Sequence, residues 1–120
     1  MSYLKNRKNA FVYAFSGLWQ VTKREAHIRI HLLATVLVVS AGFYFGLSSV
    51  EWVCICACIA LVFCLEIINT AIEKLCDLVM PDQHPTIKYI KDISAAAVLI
   101  ACGFAVVTGL IIFLPYLLKH

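Results

Sequence analysis

The chain has 120 residues, of which 62% are hydrophobic and only 14% are charged. Soluble domains are about 45–50% apolar and about 25% charged, and so short a chain buries only about 60–70% of its unfolded surface. This composition excludes a water-soluble monomer, a disordered tail and a nucleic-acid-binding module, and the net charge of +3 is too small to change that conclusion. We therefore expect most of the chain to lie in a lipid bilayer.

The N-terminal segment, residues 4–26, predicts an amphipathic helix that lies on the membrane surface. Apolar side chains fall on one face at the helical period, and basic and amide side chains fall on the other. The apolar face consists of Leu4, Phe11, Phe15, Leu18, Trp19 and Thr22, and the polar face of Lys5, Asn6, Asn9, Ser16, Gln20, Lys23 and Arg24. Basic residues opposite aromatic residues are typical of an interfacial helix. The alternative is a short cytosolic helix packed on the body of the protein.

Three further segments are long and apolar enough to cross a bilayer, which requires about 20 residues. They are residues 30–50, 52–79 and 93–118, and the first and third contain no Asp, Glu, Lys or Arg. We therefore predict an all-α integral membrane protein, in which residues 1–120 form one domain. Its surface helix and three transmembrane helices are expected to assemble into an oligomeric bundle.

The second span changes character along its length. It is uncharged from Trp52 to Leu65 and then carries acidic and amide side chains while keeping a helical pattern. Pro81 and Pro85 follow, and because proline cannot continue a helix, we expect the span to end at about Val79.

The distribution of basic residues predicts the orientation. Six of the ten lie before residue 30, which places the N-terminus in the cytoplasm. The turn at residues 48–51 has no basic residue and is expected outside, whereas the connection at residues 80–91 carries Lys88 and Lys91 and returns to the cytoplasm. The tail, residues 119–120, is then outside. We expect a multi-pass protein of the inner (cytoplasmic) membrane.

Cysteine and glycine patterns give weaker signals. The six cysteines lie in or beside apolar runs with no ligand spacing for zinc, so we predict packing residues rather than disulfides or a metal site. Gly42 and Gly46 form a GxxxG motif, which is typical of close helix packing.

A stripe of polar side chains on the second span is the strongest functional signal. Glu66, Asn69, Glu73 and Asp77 are spaced by three or four residues and share one narrow helical face. Each ionisable side chain near the centre of a bilayer costs about 2.5–3.5 kcal/mol. Glu66 lies about 21 Å along the span, toward its cytoplasmic side, and Glu73 and Asp77 lie at or beyond the cytoplasmic interface. The stripe must therefore meet partners near that surface.

The chemistry of the stripe indicates phosphoryl transfer. Hard oxygen ligands suit Mg²⁺, which is usually shared with substrate phosphates, and a carboxylate at the lipid boundary can take a proton from a lipid hydroxyl. The sequence has no GxxxxGK[ST] loop, so side chains and metal must hold any nucleotide. The alternative is purely structural, with the acids forming ion pairs with Lys74, Lys88, Lys91 and Arg29.

Three blocks of this sequence resemble the prokaryotic diacylglycerol kinase family, which also includes the undecaprenol kinases. The most specific block is residues 66–77, which contains the Glu-Ile-Ile-Asn-Thr-Ala-Ile-Glu segment and ends at Asp77. A second block joins His84-Pro85 to residues 91–100, and a first block joins Gly17-Leu18 to residues 25–31. The resemblance covers nearly the whole chain.

The resemblance implies a role for each matching residue. Glu66 would be the general base on the lipid hydroxyl, while Glu25 and Glu73 would hold the Mg²⁺ ions that bridge the phosphates of ATP. The implied nucleotide-binding residues are Tyr13, Glu25, Asn69, Glu73, Asp77, Asp82, Gln83, His84, Lys91 and Asp92. Asn6 stands where the family has a basic residue, so Lys5, Arg7 or Lys8 would substitute, and we assign Arg7, with Glu66, to the lipid substrate. Family members resemble one another in forming homotrimers with active sites between subunits.

The predicted function is thus a membrane-embedded, ATP- and Mg²⁺-dependent lipid kinase. Residues 69–73, the His84-Pro85 turn and residues 29–32 resemble the undecaprenol kinases more than the diacylglycerol kinases. The resemblance therefore favours undecaprenol over diacylglycerol as the lipid alcohol. Two other classes stay open from the residues alone, namely a small oligomeric transporter that couples membrane acids to proton movement and a non-catalytic helical anchor.

Overall fold

The chain is all-helical in the part that the structure describes. The computed structural model describes residues 3–119, with side chains from residue 5 onward, so the predicted roles of Leu4 and of the tail residue His120 lie outside the described side chains. The helices are α1 (Tyr3–Arg24), α2 (Ala26–Phe45), α3 (Ser49–Val79) and α4 (Pro85–Leu118). Residues 3–119 contain no strand, which confirms the predicted fold class.

Contacts within the chain form two compact units, one ending at Ala34 and the other beginning at Thr35. In the first unit, α1 and α2 meet at Glu25, whose N–H donates to the carbonyl of Val21 at 2.9 Å. The Arg29 guanidinium donates to the carbonyls of Thr22 and Lys23 at 2.9 and 2.8 Å. Arg29 therefore caps the end of α1, where backbone carbonyls have no partner within the helix.

Helix α1 carries large exposed aromatic side chains on the face that the sequence predicts to be apolar. Phe11, Phe15 and Trp19 are exposed over 67%, 68% and 69% of their surface. Large exposed aromatic side chains of this kind commonly contact lipid or another protein surface, and the surface-helix assignment stays a prediction.

Helices α2, α3 and α4 are each long and apolar enough to cross a membrane, which confirms the predicted three spans. However, α2 starts and stops earlier than the predicted residues 30–50. It stops because Gly46 has a φ of 70°, and the N–H groups of Gly46 and Leu47 both donate to the carbonyl of Gly42, at 3.0 and 3.1 Å. Glycine adopts this left-handed conformation without steric cost and so ends the helix. At its start, α2 continues on the N-terminal side of Arg29, whose charge had set the predicted boundary.

A capping box starts α3 at Ser49 instead of Trp52. The Ser48 hydroxyl accepts from the N–H of Glu51 at 3.3 Å, and the Ser48 N–H donates to the Glu51 carboxylate at 2.9 Å. This reciprocal pair satisfies N–H groups that would otherwise lack partners at the helix start. Residues 48–51, predicted as a turn, are therefore the first turn of a helix, and the bend lies at residues 46–48.

The connection between α3 and α4 is shorter than predicted. Helix α3 ends at Val79 as expected, but α4 begins at Pro85, not at residue 93. His84 is the N-cap, since its Nδ1 accepts from the N–H of Thr86 at 3.1 Å, and proline suits the first helical position because its φ is fixed there. The predicted connection at residues 80–91 is thus reduced to residues 80–84.

Helix α3 packs against α4 along a face that changes from apolar to polar. At the Glu51 end, buried Leu47, Ile55 and Ile112 form a core. Partly buried side chains pack around that core, namely Val38, Trp52, Ile59, Phe113 and Tyr116. Toward the other end, the buried face of α3 carries Glu66 and Asn69. The interface between the two helices therefore presents its polar groups near the connection at residues 80–84.

Glycine and cysteine residues play packing roles in this unit. Gly42 is buried beneath Trp52, and a Cβ added at Gly42 would lie 2.6 Å from the Trp52 ring. The close packing that GxxxG predicts is therefore found at Gly42, while Gly46 forms the turn. All six cysteines are free thiols; Cys58 and Cys76 are buried and pack inside the unit, whereas Cys54, Cys56 and Cys64 are exposed.

Candidate functional site

The polar stripe of α3 lies on the helix face that is directed toward α4. Glu66, Asn69 and Thr70 are buried, with 7%, 8% and 6% of their surfaces exposed. Glu73 is half-buried and Asp77 is exposed. The stripe therefore runs from a buried carboxylate in the helix pair to an exposed carboxylate beside the connection at residues 80–84.

A chain of hydrogen bonds links the middle of the stripe to α4. The Ser94 hydroxyl donates to Oδ1 of Asn69 at 2.6 Å, and Nδ2 of Asn69 donates to Oε1 of Glu73 at 3.0 Å. These bonds fix the Asn69 side chain between two helices. They also give the Glu73 carboxylate a defined orientation, since a carboxylate accepts from the amide that faces it.

Two ion pairs lie at the open end of the stripe. Nζ of Lys91 lies 2.5 Å from Oδ1 of Asp77, joining α4 to α3, and Nζ of Lys88 lies 2.5 Å from Oδ2 of Asp92 within α4. The structural alternative thus correctly anticipates the contact of Asp77 with Lys91. Both pairs are substantially exposed, and exposed pairs contribute little to stability, about 0–1 kcal/mol. Helix packing does not depend on them.

A cavity of about 580 Å³ opens beside the connection between α3 and α4. Its lining consists of Met80, Pro81, Asp82, Gln83, His84, Pro85, Ile87, Lys88 and Lys91. The volume is within the range of about 300–1,000 Å³ that is typical of small-molecule sites. The structure therefore brings the predicted nucleotide-contacting residues 82–84 to one cavity with Lys91, and Lys91 joins that cavity to the stripe through Asp77.

Three predicted site residues lie in the unit that ends at Ala34. Tyr13 is 71% exposed, Arg7 is also exposed, and Glu25 is half-buried at the junction of α1 and α2. Within that unit, Glu25 directly follows the last residue of α1. Its N–H donates to the Val21 carbonyl, and Arg29 caps the end of the helix. Their assignment to the site stays a prediction.

The donor set around Glu73 suits a metal that is shared with phosphate groups. Over residues 3–119, no cluster of three His, Cys, Asp or Glu side chains is close enough to hold a metal ion by itself. Mg²⁺ does not require such a cluster, because it usually takes one or two carboxylates and fills its other positions with water and substrate phosphates. An oriented, half-buried carboxylate such as that of Glu73 fits this type of binding.

Sequence reasoning missed Ser94 and the buried Thr70. Serine and threonine occur often in apolar helices, so neither residue gives a strong signal in the sequence. The position of Ser94 one turn after Lys91 could have been used, since residues three apart share a helix face. Lys91 contacts α3, and the same face of α4 therefore carries Ser94 toward Asn69.

Comparison with known proteins identifies related sequences over most of the chain. A family model for prokaryotic diacylglycerol kinase matches residues 12–113. The undecaprenol kinase of Bacillus subtilis is 39% identical over 90% of this chain and 88% of the relative. The diacylglycerol kinase of Pseudomonas aeruginosa is 32% identical over 92% of this chain and 90% of the relative. The diacylglycerol kinase of Synechocystis is 34% identical over 92% of this chain and 63% of the relative.

Proposed function

The chain belongs to the prokaryotic diacylglycerol kinase family and is a multi-pass membrane lipid kinase, and from this premise we propose that it phosphorylates undecaprenol in preference to diacylglycerol. The preference is supported by the higher identity to an undecaprenol kinase, 39%, than to the diacylglycerol kinases of Synechocystis and Pseudomonas aeruginosa, 34% and 32%. The transporter and anchor hypotheses do not fit a family of kinases. The site described above must therefore bring a lipid hydroxyl to the γ-phosphate of ATP.

Glu66 is the general base in this proposal. It is the most deeply placed acid of the stripe and is buried against α4, where apolar surroundings suit the approach of a lipid hydroxyl. Its carboxylate takes the proton of that hydroxyl, the oxygen forms a bond to the γ-phosphorus, and the bond from this phosphorus to the β-phosphate oxygen breaks. The products are the lipid phosphate, ADP and a proton on Glu66, which is then released to solvent.

The remaining residues of the stripe position the nucleotide. Glu73, oriented by Asn69, and Glu25 would hold Mg²⁺, which when bound neutralises charge on the phosphates. Lys91 supplies a cation near the phosphates, and Asp77 fixes its Nζ at 2.5 Å. The other proposed nucleotide-contacting residues are Tyr13, Asp82, Gln83, His84 and Asp92. The cavity beside residues 80–84 would receive the nucleotide away from the lipid.

The proposed setting is the inner membrane, with the N-terminus and the site on the cytoplasmic side, where ATP is present. Basic residues concentrate near the N-terminus, and the exposed aromatic face of α1 suits the headgroup region. We further propose a homotrimer with active sites between subunits, in which Arg7 contacts the lipid substrate. Large exposed apolar side chains on all three spans are compatible with both lipid and subunit contacts.

The buried position of Glu66 beside the Asn69–Glu73 pair is the observation that carries this proposal, and its test is a turnover assay. Protein reconstituted in bilayers is given Mg²⁺, ATP and either undecaprenol or diacylglycerol, and the phosphorylated lipid is measured. We expect a higher kcat/KM with undecaprenol. A higher value with diacylglycerol would overturn the substrate preference, and no product with either lipid would overturn the activity.

The Glu66→Gln variant tests the assignment of the base. The amide keeps the size of the side chain but cannot take the proton, so we expect kcat to fall by about 10²–10⁴-fold. Helix content and oligomer size should be unchanged. Normal turnover of this variant would remove Glu66 from the role of base while leaving the lipid kinase activity in place.

A further inference from the structure

We propose that Ser94 is a positioning residue, whose hydroxyl sets the orientation of the Asn69 amide and thereby holds the Glu73 carboxylate ready for the metal ion. The inference rests on the metal-binding role proposed above for Glu73. It concerns a residue that lies outside the stripe and on a different helix. The evidence is the hydrogen-bonded sequence from Ser94 to Asn69 to Glu73.

The direction of these hydrogen bonds follows from the chemistry of the three groups. An ionised carboxylate can only accept, so Asn69 must present its NH₂ group to Glu73. The amide oxygen then faces α4, where it requires a donor. Ser94 supplies that donor at 2.6 Å. If the amide were reversed, its oxygen would face the carboxylate oxygen of Glu73, and two acceptors would be in contact.

Burial makes this orientation depend on the serine. Asn69 is only 8% exposed and Ser94 is half-buried, so water cannot freely replace the hydroxyl. A buried amide oxygen without a donor is unfavourable, and removing the hydroxyl therefore weakens the preference of the amide for the orientation that serves Glu73. Groups that orient metal ligands in this way commonly alter metal affinity by about 10–100-fold when they are removed.

The same contact couples the two helices of the site. Ser94 belongs to α4, whereas Asn69 and Glu73 belong to α3, so the carboxylate is positioned by both elements. One turn earlier on α4, Lys91 contacts Asp77 of α3. Unlike that exposed ion pair, the Ser94 contact is partly buried, so water competes less well for it.

The test measures metal binding instead of turnover. Mn²⁺ binding to the reconstituted full chain is followed by electron paramagnetic resonance in the presence of a non-hydrolysable ATP analogue. We expect Ser94→Ala to raise the Kd of Mn²⁺ by about tenfold and Ser94→Thr, which keeps the hydroxyl, to restore it largely. Thr108→Ala, which removes a half-buried hydroxyl from the same helix, serves as the matched control and should leave the Kd unchanged. An equal Kd for Ser94→Ala and the unaltered protein would overturn the inference.

Two further variants separate this inference from the proposed function. Glu73→Gln should itself raise the Kd of Mn²⁺, and if it does not, the metal-binding role of Glu73 fails and the inference fails with it. If Glu73→Gln weakens binding and Ser94→Ala does not, only the inference fails. In an Asn69→Ala background, Ser94→Ala should have no further effect on the Kd, because the amide through which the hydroxyl acts is absent. A full additional loss there would indicate a general structural effect and would overturn the positioning role.

The unfolding equilibrium gives a readout that needs neither metal nor nucleotide. The free energies of unfolding of Ser94→Ala, Asn69→Ala and the double variant are compared in detergent. We expect the double variant to be less destabilised than the sum of the two single variants, because both single changes remove the same hydrogen bond. Additive changes would show that the two side chains do not interact.

Discussion

The phenol of Tyr116 donates a hydrogen bond of 2.6 Å to Oε1 of Glu51, which joins the last turns of α4 to the first turn of α3. The same carboxylate oxygen accepts from the Ser48 N–H at the start of α3. The Tyr116 ring also stacks on Phe45, with ring centroids 5.7 Å apart. A single tyrosine therefore ties the ends of α2, α3 and α4 together at the end of the helix pair opposite the candidate site.

Removing the hydrogen bond between Tyr116 and Glu51 should make the protein less stable without changing its catalytic activity. Tyr116→Phe keeps the ring stacking but removes a hydrogen bond to a charged group, so we expect the free energy of unfolding to fall measurably. Tyr44→Phe removes the hydroxyl of a tyrosine that is 83% exposed and should have a much smaller effect. Denaturation in mixed detergent micelles measures the difference, and kcat should be the same in all three proteins. A large drop in kcat for Tyr116→Phe would contradict this separation of stability from activity.

Gly42 gives a second prediction about stability. A Cβ there would lie 2.6 and 2.9 Å from two atoms of the Trp52 ring, so Gly42→Ala should destabilise the protein by about 1–3 kcal/mol through overpacking. Gly17→Ala is the matched control, because nothing lies within 4 Å of its added Cβ. It should be neutral or stabilising, since alanine favours a helix over glycine by about 1 kcal/mol.

The partner of Gly42 provides an independent check of this explanation. Trp52→Phe reduces the size of the ring that an added Cβ would meet. We expect Gly42→Ala to be less harmful in the Trp52→Phe background than in the unaltered protein. Equal destabilisation in both backgrounds would mean that the Trp52 ring is not the cause.

The Asp77–Lys91 pair predicts an effect on nucleotide binding and little effect on folding. Lys91→Met should raise the KM for ATP by about tenfold or more, because it removes a cation from the proposed phosphate site. The free energy of unfolding should change little, since the pair is exposed. Lys119→Met changes a charge at the other end of α4 and should leave the KM for ATP unaltered. An unchanged KM for Lys91→Met would remove Lys91 from the nucleotide site.

The exposed aromatic face of α1 predicts contact with lipid headgroups. Trp19 is the probe, and Trp52→Phe removes the second of the two tryptophans of the chain. In that variant, lipids brominated near the headgroup should quench the fluorescence of Trp19 more strongly than lipids brominated at the chain ends. Uniform weak quenching from all positions would instead place Trp19 in water or against another protein surface. Trp19→Phe, in which Trp52 alone emits, provides the comparison.

Hydrophobic periodicity was sufficient to predict the helical class, the three spans and the stripe. It was not sufficient for the helix boundaries, which short-range contacts decide. The predicted third span began only after the charged side chains from Lys88 to Asp92. Helix α4 begins earlier, because charged residues are compatible with helix outside the apolar part of a span. The Ser48-x-x-Glu51 spacing of a capping box was present in the sequence and would have placed the start of α3 correctly.

Within the candidate site, the carboxylates, Asn69 and Lys91 could be picked out from the sequence, whereas the contact of Ser94 with Asn69 could not. Glu66 and Glu73 stand out because an ionisable side chain in an apolar membrane segment is energetically costly and is usually kept for a function. Ser94 does not stand out, because serine in an apolar helix has no such cost and its role depends on which residue of α3 faces it. That information comes only from the packing of α3 against α4, which brings its hydroxyl to Asn69.

The bend at Gly46, Leu47 and Ser48 also has a consequence for biosynthesis. Since only these residues separate α2 from α3, we expect the two helices to insert into the bilayer together as one hairpin. The only carboxylate near the leading end of that hairpin is Glu51, whose charge is already engaged by the Ser48 N–H. With the N-terminus in the cytoplasm, as proposed above, this bend is the end that crosses the bilayer, and we expect a polar reporter domain inserted there to reduce the efficiency of membrane insertion.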